Sequence, residues 1–236
     1  MKSHDNWLNI IQDYLLPPTC VLCGSAGFAG RDLCYGCYAQ LPQNSPCCQR
    51  CAAHLYDFNE TNSLLCANCL KFPPAFDSVF APFLYKDALR SLILDLKFQA
   101  NYKNARLLGQ LLAQHAKQLA SMPDCLLPVP LHKNRYQSRG FNQSIEIART
   151  VAKQLQLPLD LTSCIRHRDT PQQANLTAKQ RYKNINNAFS MLSQPQAKHI
   201  VLLDDVMTTG STVRELAMVL KASGVQRVDV WLCARA

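Results

Sequence analysis

Two carboxylates followed by a run of small hydroxyl residues are the first feature of this chain that could do chemistry. The stretch VLLDDVMTTGSTV covers residues 201 to 213. Asp204 and Asp205 can accept hydrogen bonds from the vicinal hydroxyls of a sugar. Thr208, Thr209, Gly210, Ser211 and Thr212 follow, and a glycine turn lets backbone N–H groups converge on one point. The helical pattern from Val213 adds free N–H groups and a positive dipole end. Such a nest suits a phosphate, here one carried by the same sugar. No GK[ST] closes the turn, which argues against a nucleoside-triphosphate loop.

The cysteines suggest a second chemistry. The chain has 12. Four CxxC pairs stand at Cys20/Cys23, Cys34/Cys37, Cys48/Cys51 and Cys66/Cys69. A CxxC turn presents two thiolates to one cation, and two turns complete a tetrahedron. Eight sulfurs therefore suit one or two structural Zn²⁺ ions, with no open position for a catalytic water. A redox dithiol needs only one such pair beside a βαβ unit, so that reading fails. Sequential pairing (Cys20, Cys23, Cys34, Cys37, then Cys48, Cys51, Cys66, Cys69) closes the shorter loops and is preferred to a cross-brace. Cys47 is the spare, and His54 is a minor alternative ligand. Cys125, Cys164 and Cys233 fall in strand-like segments and read as small core residues.

These groups need a frame. Ile200 to Leu203 form a continuous apolar run, as in a strand buried on both faces, so the acids stand at its carboxyl end, where open α/β sheets bind ligands. Phe76 to Tyr85 reads as strand and Asp87 to Phe98 as helix, with Leu89, Leu92, Ile93 and Leu96 on one face. Leu107 to Leu119 recurs at helical spacing, Cys125 to Val129 is a short strand, and Leu161 to Arg166 is another. A basic turn with His132, Lys133, Arg135 and Arg139 precedes a helix opened by Gly140-Phe141-Asn142. Arg227 to Arg235 is the last strand. Strands and helices alternate over the last hundred residues, which predicts an α/β fold with a parallel sheet. Trp7 to Leu16 marks an N-terminal helix with an apolar face. Phe72-Pro73-Pro74 is the joint between the cysteine module and the rest.

The chain of 236 residues carries a formal net charge of +9. Residues 1–75 hold 4 basic and 5 acidic side chains, whereas residues 76–236 hold 21 and 11. From Lys133 to Lys198 the count is 11 against 3, a segment suited to meet phosphates, on a small ligand or along a nucleic acid. The N-terminal apolar stretch is broken by Asn9, Gln12 and Asp13 and lacks a cleavage site, so no signal peptide is read. No run approaches the roughly 18 apolar residues of a membrane span. A cytoplasmic location is expected.

Residues 200 to 212 resemble the PRPP-binding motif of type I phosphoribosyltransferases. That resemblance implies that Asp204 and Asp205 face the ribose and that Thr208 to Thr212 hold the 5′-phosphate. It implies a pyrophosphate loop at His132, Lys133, Arg135 and Arg139, and a mobile loop with Arg166, Arg168, Thr170, Gln173 and Arg181. Together with Pro128 to His132, Arg139 to Gln143, Arg166 to Gln173 and Leu176 to Asn184, and with the cysteine module, the chain resembles the ComF/GntX family. The implied organisation is a helix over 1–16, a double zinc ribbon over 17–72 and a phosphoribosyltransferase-like domain over 75–236.

The family resemblance implies a competence role, in which the protein handles incoming single-stranded DNA in natural transformation at the cytoplasmic face of the inner membrane. A DNA-uptake helicase or an inner-membrane channel component would be its partner. Tyr136, Phe141 and Tyr182 are candidates for base stacking along the basic segment. The alternative is a working transferase in which Mg²⁺ binds with PRPP. No acceptor-recognition element is identified, and no catalytic residue is assigned.

Overall fold

The structure is a computed structural model that describes residues 17–56, 64–169, 185 and 187–236. The helix expected over 1–16 lies outside them. In chain order the elements are α1 (Tyr35–Ala39), α2 (Ala67–Lys71), β1 (Ser78–Phe80), β2 (Phe83–Leu84), α3 (Asp87–Gln99), α4 (Tyr102–Ala116) and β3 (Cys125–Pro128). They continue with α5 (Lys133–Arg139), α6 (Gln143–Leu155), β4 (Cys164–Arg166), β5 (Phe189–Met191), β6 (His199–Met207), α7 (Ser211–Ala222) and β7 (Arg227–Arg235).

The main sheet is parallel in every pairing and runs β1-β7-β6-β3, with β2 also pairing β7. Its centre is apolar on both faces, as the Ile200–Leu203 run requires. Val201 and Leu203 pack with α3, α4 and α6, whereas Ile200 and Leu202 pack with α7. The strand expected over Phe76 to Tyr85 is broken at Ala81-Pro82, because proline has no N–H for the ladder.

Three further details depart from the sequence reading. The basic turn after β3 is a helix, α5, capped by the His132 side chain. The strand expected over Leu161 to Arg166 is shorter and stands outside the main sheet, pairing antiparallel with β5 in a separate two-stranded sheet. There the Asp160 carboxylate accepts the N–H groups of Thr162 and Ser163, each at 3.0 Å, and this turn redirects the chain. Phe141 is 4% exposed, with its ring 5.2 Å from that of Tyr102, so it is unavailable to stack on a base.

The cysteine ribbons are built into this body. Residues 42–44 lie antiparallel along β2, with the Leu84 N–H donating to Pro42 O at 2.8 Å and the Asn44 N–H to Pro82 O at 2.9 Å. The linker between the ribbons thereby covers a sheet edge that would otherwise be open. Leu33 and Leu41 enter the core on one side of the sheet, and Ala52 enters it on the other.

Helices α4 and α6 approach closely at Gly109. A Cβ there would stand 2.6 Å from Thr150 Cβ and 2.8 Å from the Ile147 carbonyl oxygen. Gly109→Ala gains about 1 kcal/mol of helix propensity. The forced separation costs about 1–3 kcal/mol, so the variant is expected to unfold at a lower denaturant midpoint, which a urea titration measures.

Candidate functional site

Asp204 and Asp205 end the buried run of β6, beneath the start of α6. The RGFNQ stretch builds this corner. Asn142 caps α6 by accepting the Ser144 N–H at 2.9 Å, and its amide donates to Val129 O at 3.0 Å, tying the helix to the end of β3. Ser144 Oγ then donates to Asp204 Oδ1 at 2.7 Å, and Gln143 Nε2 donates to Asp205 Oδ1 at 3.3 Å. Arg139 Nη1 donates in turn to the Gln143 amide oxygen. On the opposite side, the Lys97 ammonium of α3 forms an ion pair with Asp205 Oδ2.

These neighbours divide the acids. Burial raises the Asp204 carboxyl to about 7, and the negative charge of Asp205 adds to the rise. Burial acts on Asp205 as well, but Lys97 outweighs it and holds that carboxyl below its ordinary value. Lys97 is itself raised: burial opposes its charge, and Asp205 more than offsets this. The site near neutral pH is thus a charged acid paired with a lysine, beside a second acid that can exchange its proton.

A cavity of about 260 Å³ opens over the pair, lined by Lys97, Arg135, Arg139, Arg166 and Thr212 among others. Burial lowers the affinity of Arg139 and Arg166 for their protons. Beside it, Thr208 to Thr212 form a notch of about 40 Å³. Gly210 holds φ +77°, a left-handed conformation that glycine adopts readily, and it caps α7 so that the helix N-terminus faces the notch. Thr209 Oγ1 and Ser211 Oγ lie 2.8 Å apart. The expected ribose and phosphate residues therefore share one corner with Arg135 and Arg139.

His132 and Lys133 do not line that cavity. They line a neighbouring cleft of about 610 Å³ with Tyr136, Ile165, His167 and Arg166. Leu131 and Arg166 border both spaces. Tyr136, which lines the cleft, is 49% exposed. Of the other expected mobile-loop residues, Arg168 is exposed, and Thr170, Gln173 and Arg181 lie outside the described residues, as does Tyr182. Lys97, Gln143 and Ser144 are site residues that the sequence reading did not single out. Lys97 carried a signal, because Leu89, Ile93 and position 97 follow one another at intervals of four along the buried stripe of α3.

The cysteines gather as two sets, Cys20, Cys23, Cys34, Cys37 and Cys48, Cys51, Cys66, Cys69, with sulfurs within 4.8 Å of one another in each set. Cys23 and Cys34 Sγ are 3.6 Å apart, as are those of Cys51 and Cys66. A tetrahedron of Zn–S bonds near 2.3 Å needs S···S distances of about 3.8 Å. The Cys37 N–H points at Cys34 Sγ and the Cys66 N–H at Cys48 Sγ, at 3.4 and 3.3 Å, as suits thiolates. The residues fit Zn²⁺, and all four positions are taken by sulfur. His54 belongs to neither set; it bridges to Cys47 and packs on Tyr56.

Residues 11–70 match the family described as "Double zinc ribbon domain", and residues 142–235 match "Phosphoribosyl transferase domain". The fold and site thus define a zinc-ribbon protein built on a phosphoribosyltransferase-type α/β domain. The chain is 33% identical over 228 residues to "Competence protein F" of Haemophilus influenzae, covering 92% of this chain and 96% of that protein. It is 33% identical over 229 residues to "DNA utilization protein YhgH" of Escherichia coli, covering 93% and 98%. "Competence protein ComFC" of Streptococcus pneumoniae is 22% identical, covering 92% and 99%. The chain belongs to this family, the ComF/GntX proteins. Similar solved structures include an adenine phosphoribosyltransferase from Leishmania donovani, at 14% identity and TM-score 0.38, covering 69% of this chain and 71% of that one. A purine phosphoribosyltransferase from Pyrococcus horikoshii is similar at 14% identity and TM-score 0.33, covering 55% and 80%.

The raised Asp204 carboxyl has a consequence for stability. An unfolded carboxyl loses its proton near the ordinary value of 3.8, whereas the folded one keeps it to about 7. Between those values the folded chain binds more protons, so this group's contribution to stability falls as pH rises. Asp204→Asn is expected to melt several degrees above the wild type at pH 8, with the gap narrowing toward pH 5.5; thermal melts at the two pH values measure it. For the cysteine sets, two Zn²⁺ per chain are expected by elemental analysis, and one after Cys48→Ser with Cys51→Ser.

Proposed function

We propose that the protein handles single-stranded DNA taken up in natural transformation and carries a ribose-phosphate pocket of the PRPP type. The observation that carries the pocket is the convergence of Asp204, Asp205, the Thr208–Thr212 loop, Arg135 and Arg139 on one corner of the sheet. The acids accept the ribose hydroxyls, the loop holds the 5′-phosphate, and the arginines meet a pyrophosphate. The names of the relatives, Competence protein F and DNA utilization protein YhgH, support the DNA role.

The sugar chemistry separates the two ligands. Inside a DNA strand the sugar has no 2′-hydroxyl and its 3′-oxygen is esterified, so an acid pair that reads vicinal hydroxyls favours ribose. The strand instead follows the basic segment. Lys133 and Arg166 attract its phosphates, and the half-exposed ring of Tyr136 offers a face to a base. Reduced thiols able to hold zinc suit a cytoplasmic place of action.

A second reading is favoured by the arginines standing opposite the acids. With Mg²⁺ bound alongside PRPP, the same corner would serve a transferase that displaces pyrophosphate from C1 of the ribose. Mg²⁺ would neutralise charge on the pyrophosphate and ribose oxygens. Lys97 and Gln143 would fix Asp205, and Arg135 and Arg139 would receive the leaving group. Pyrophosphate release that survives Asp204→Asn combined with Asp205→Asn would eliminate this reading.

The DNA role is tested by fluorescence anisotropy of a labelled oligonucleotide. Affinity is expected to fall on the order of tenfold or more between about 50 and 200 mM salt. Tyr136→Ala is expected to weaken binding about tenfold, in line with the roughly 1–3 kcal/mol of a stacked base. Absence of binding at low salt, or binding indifferent to salt, would contradict the proposal.

A further inference from the structure

One side chain joins the second cysteine set to the phosphate loop. Arg235 ends β7, and its guanidinium reaches the carbonyls of Cys51, Met207 and its chain neighbour Ala236. Nε donates to Cys51 O at 3.1 Å, and Nη1 donates to Met207 O at 2.8 Å. Cys51 belongs to the second set of sulfurs. Met207 is the last residue of β6 and directly precedes Thr208. It also supports the loop from beneath, because its Sδ lies 3.1 Å from where a Cβ on Gly210 would stand.

The first set is held differently. Among the described residues its ribbon is fastened to α4, through Arg106 with Asp32, Arg31 with Gln114, and the Tyr38 hydroxyl with His115 at 3.5 Å. None of these contacts reaches the loop. The two metal centres of one chain therefore differ in their connection to the ligand pocket.

We propose that Arg235 couples the second metal centre to the phosphate loop, so that a metal on Cys48, Cys51, Cys66 and Cys69 and a phosphate on Thr208 to Thr212 strengthen each other's binding. The proposal rests on the ribose-phosphate reading of that loop and adds a regulation to it. A bound metal fixes the Cys48–Cys51 turn, and with it the carbonyl that receives Arg235 Nε. When the turn loosens, a largely buried donor loses its acceptor, and the guanidinium that holds Met207 O is no longer fixed on both sides. Met207 O keeps the Ala236 N–H at 3.1 Å, so the loop that follows it loses one of its two anchors. Coupling of binding free energies is reciprocal, so phosphate on the loop must retain the metal to the same degree.

Metal release from the zinc-loaded protein to a chromogenic chelator tests this, with and without saturating ribose 5-phosphate. The wild type is expected to lose its two ions in two phases, with ribose 5-phosphate slowing one of them about fivefold or more. Cys20→Ser combined with Cys23→Ser, which removes the first centre, is expected to leave the responsive phase. Arg235→Lys keeps the charge but cannot span the Cys51 and Met207 carbonyls, and in that variant both ions are expected to bind while neither phase responds. If the sugar phosphate binds by calorimetry and neither wild-type phase responds, the coupling is overturned. It is equally overturned if both phases slow alike in the wild type and in Arg235→Lys, since that marks a general stabilisation. If ribose 5-phosphate does not bind the wild type at all, the reading of the loop fails, and the coupling falls with it.

Discussion

The ion pair between Lys97 and Asp205 is the interaction on which the site depends. Asp205 is 2% exposed, and Asp204 stands next to it, half-buried, with its carboxyl raised by that burial. A buried charge without a partner is strongly unfavourable. Lys97 supplies the partner for one acid, and the other responds by holding its proton to higher pH. The arrangement leaves a charged acceptor beside an acid that can donate or accept. This suits a ligand whose hydroxyls can do both. The surrounding structure serves this corner: α3 buries Leu89, Leu92, Ile93 and Leu96 and so places Lys97, while Asn142 fixes the first turn of α6 and so aims Gln143 and Ser144.

The zinc ribbons belong to the same physical unit. Their linker pairs with β2, and their apolar residues enter the core on both sides of the sheet. The edge of the sheet near β2 is therefore covered by a module that metal is expected to stabilise. An edge strand of two residues has little pairing of its own to offer, so the ribbon contributes where the sheet is thinnest. The second sulfur set and the end of β6 are joined by the hydrogen bonds of Arg235, at the end of β7.

Features defined by local spacing were legible in the sequence. Four CxxC pairs point to paired sulfur sets because a turn of that length brings two thiols together, and the sequential grouping, preferred for its shorter loops, is the one in which the sulfurs gather. The apolar run before Asp204 must be a buried strand, and a glycine turn before an amphipathic stretch must expose a helix N-terminus. What escaped the sequence depended on long-range contacts. Lys97 reads as a surface lysine unless its place on the stripe of α3 is weighed against its charge. The basic stretch from Lys133 to Arg139 reads as a turn because its polar residues give no apolar period, yet it forms a helix with Arg135 and Arg139 turned toward the acids and Lys133 toward the neighbouring cleft. Phe141 reads as a stacking platform among basic residues, but it fills the space beside Tyr102. The β4–β5 pair stands off the main sheet after the Asp160 turn, whose side-chain hydrogen bonds propensity does not weigh.

The most direct measurement is a calorimetric comparison of ribose 5-phosphate with 2-deoxyribose 5-phosphate binding to the zinc-loaded protein. A hydrogen bond to a charged carboxylate contributes about 1.5–3 kcal/mol. If Asp204 and Asp205 read vicinal hydroxyls, ribose 5-phosphate binds tighter by roughly tenfold or more. Equal affinities would mean that the acids do not face the sugar, and the account of this corner as a ribose-phosphate pocket would be wrong.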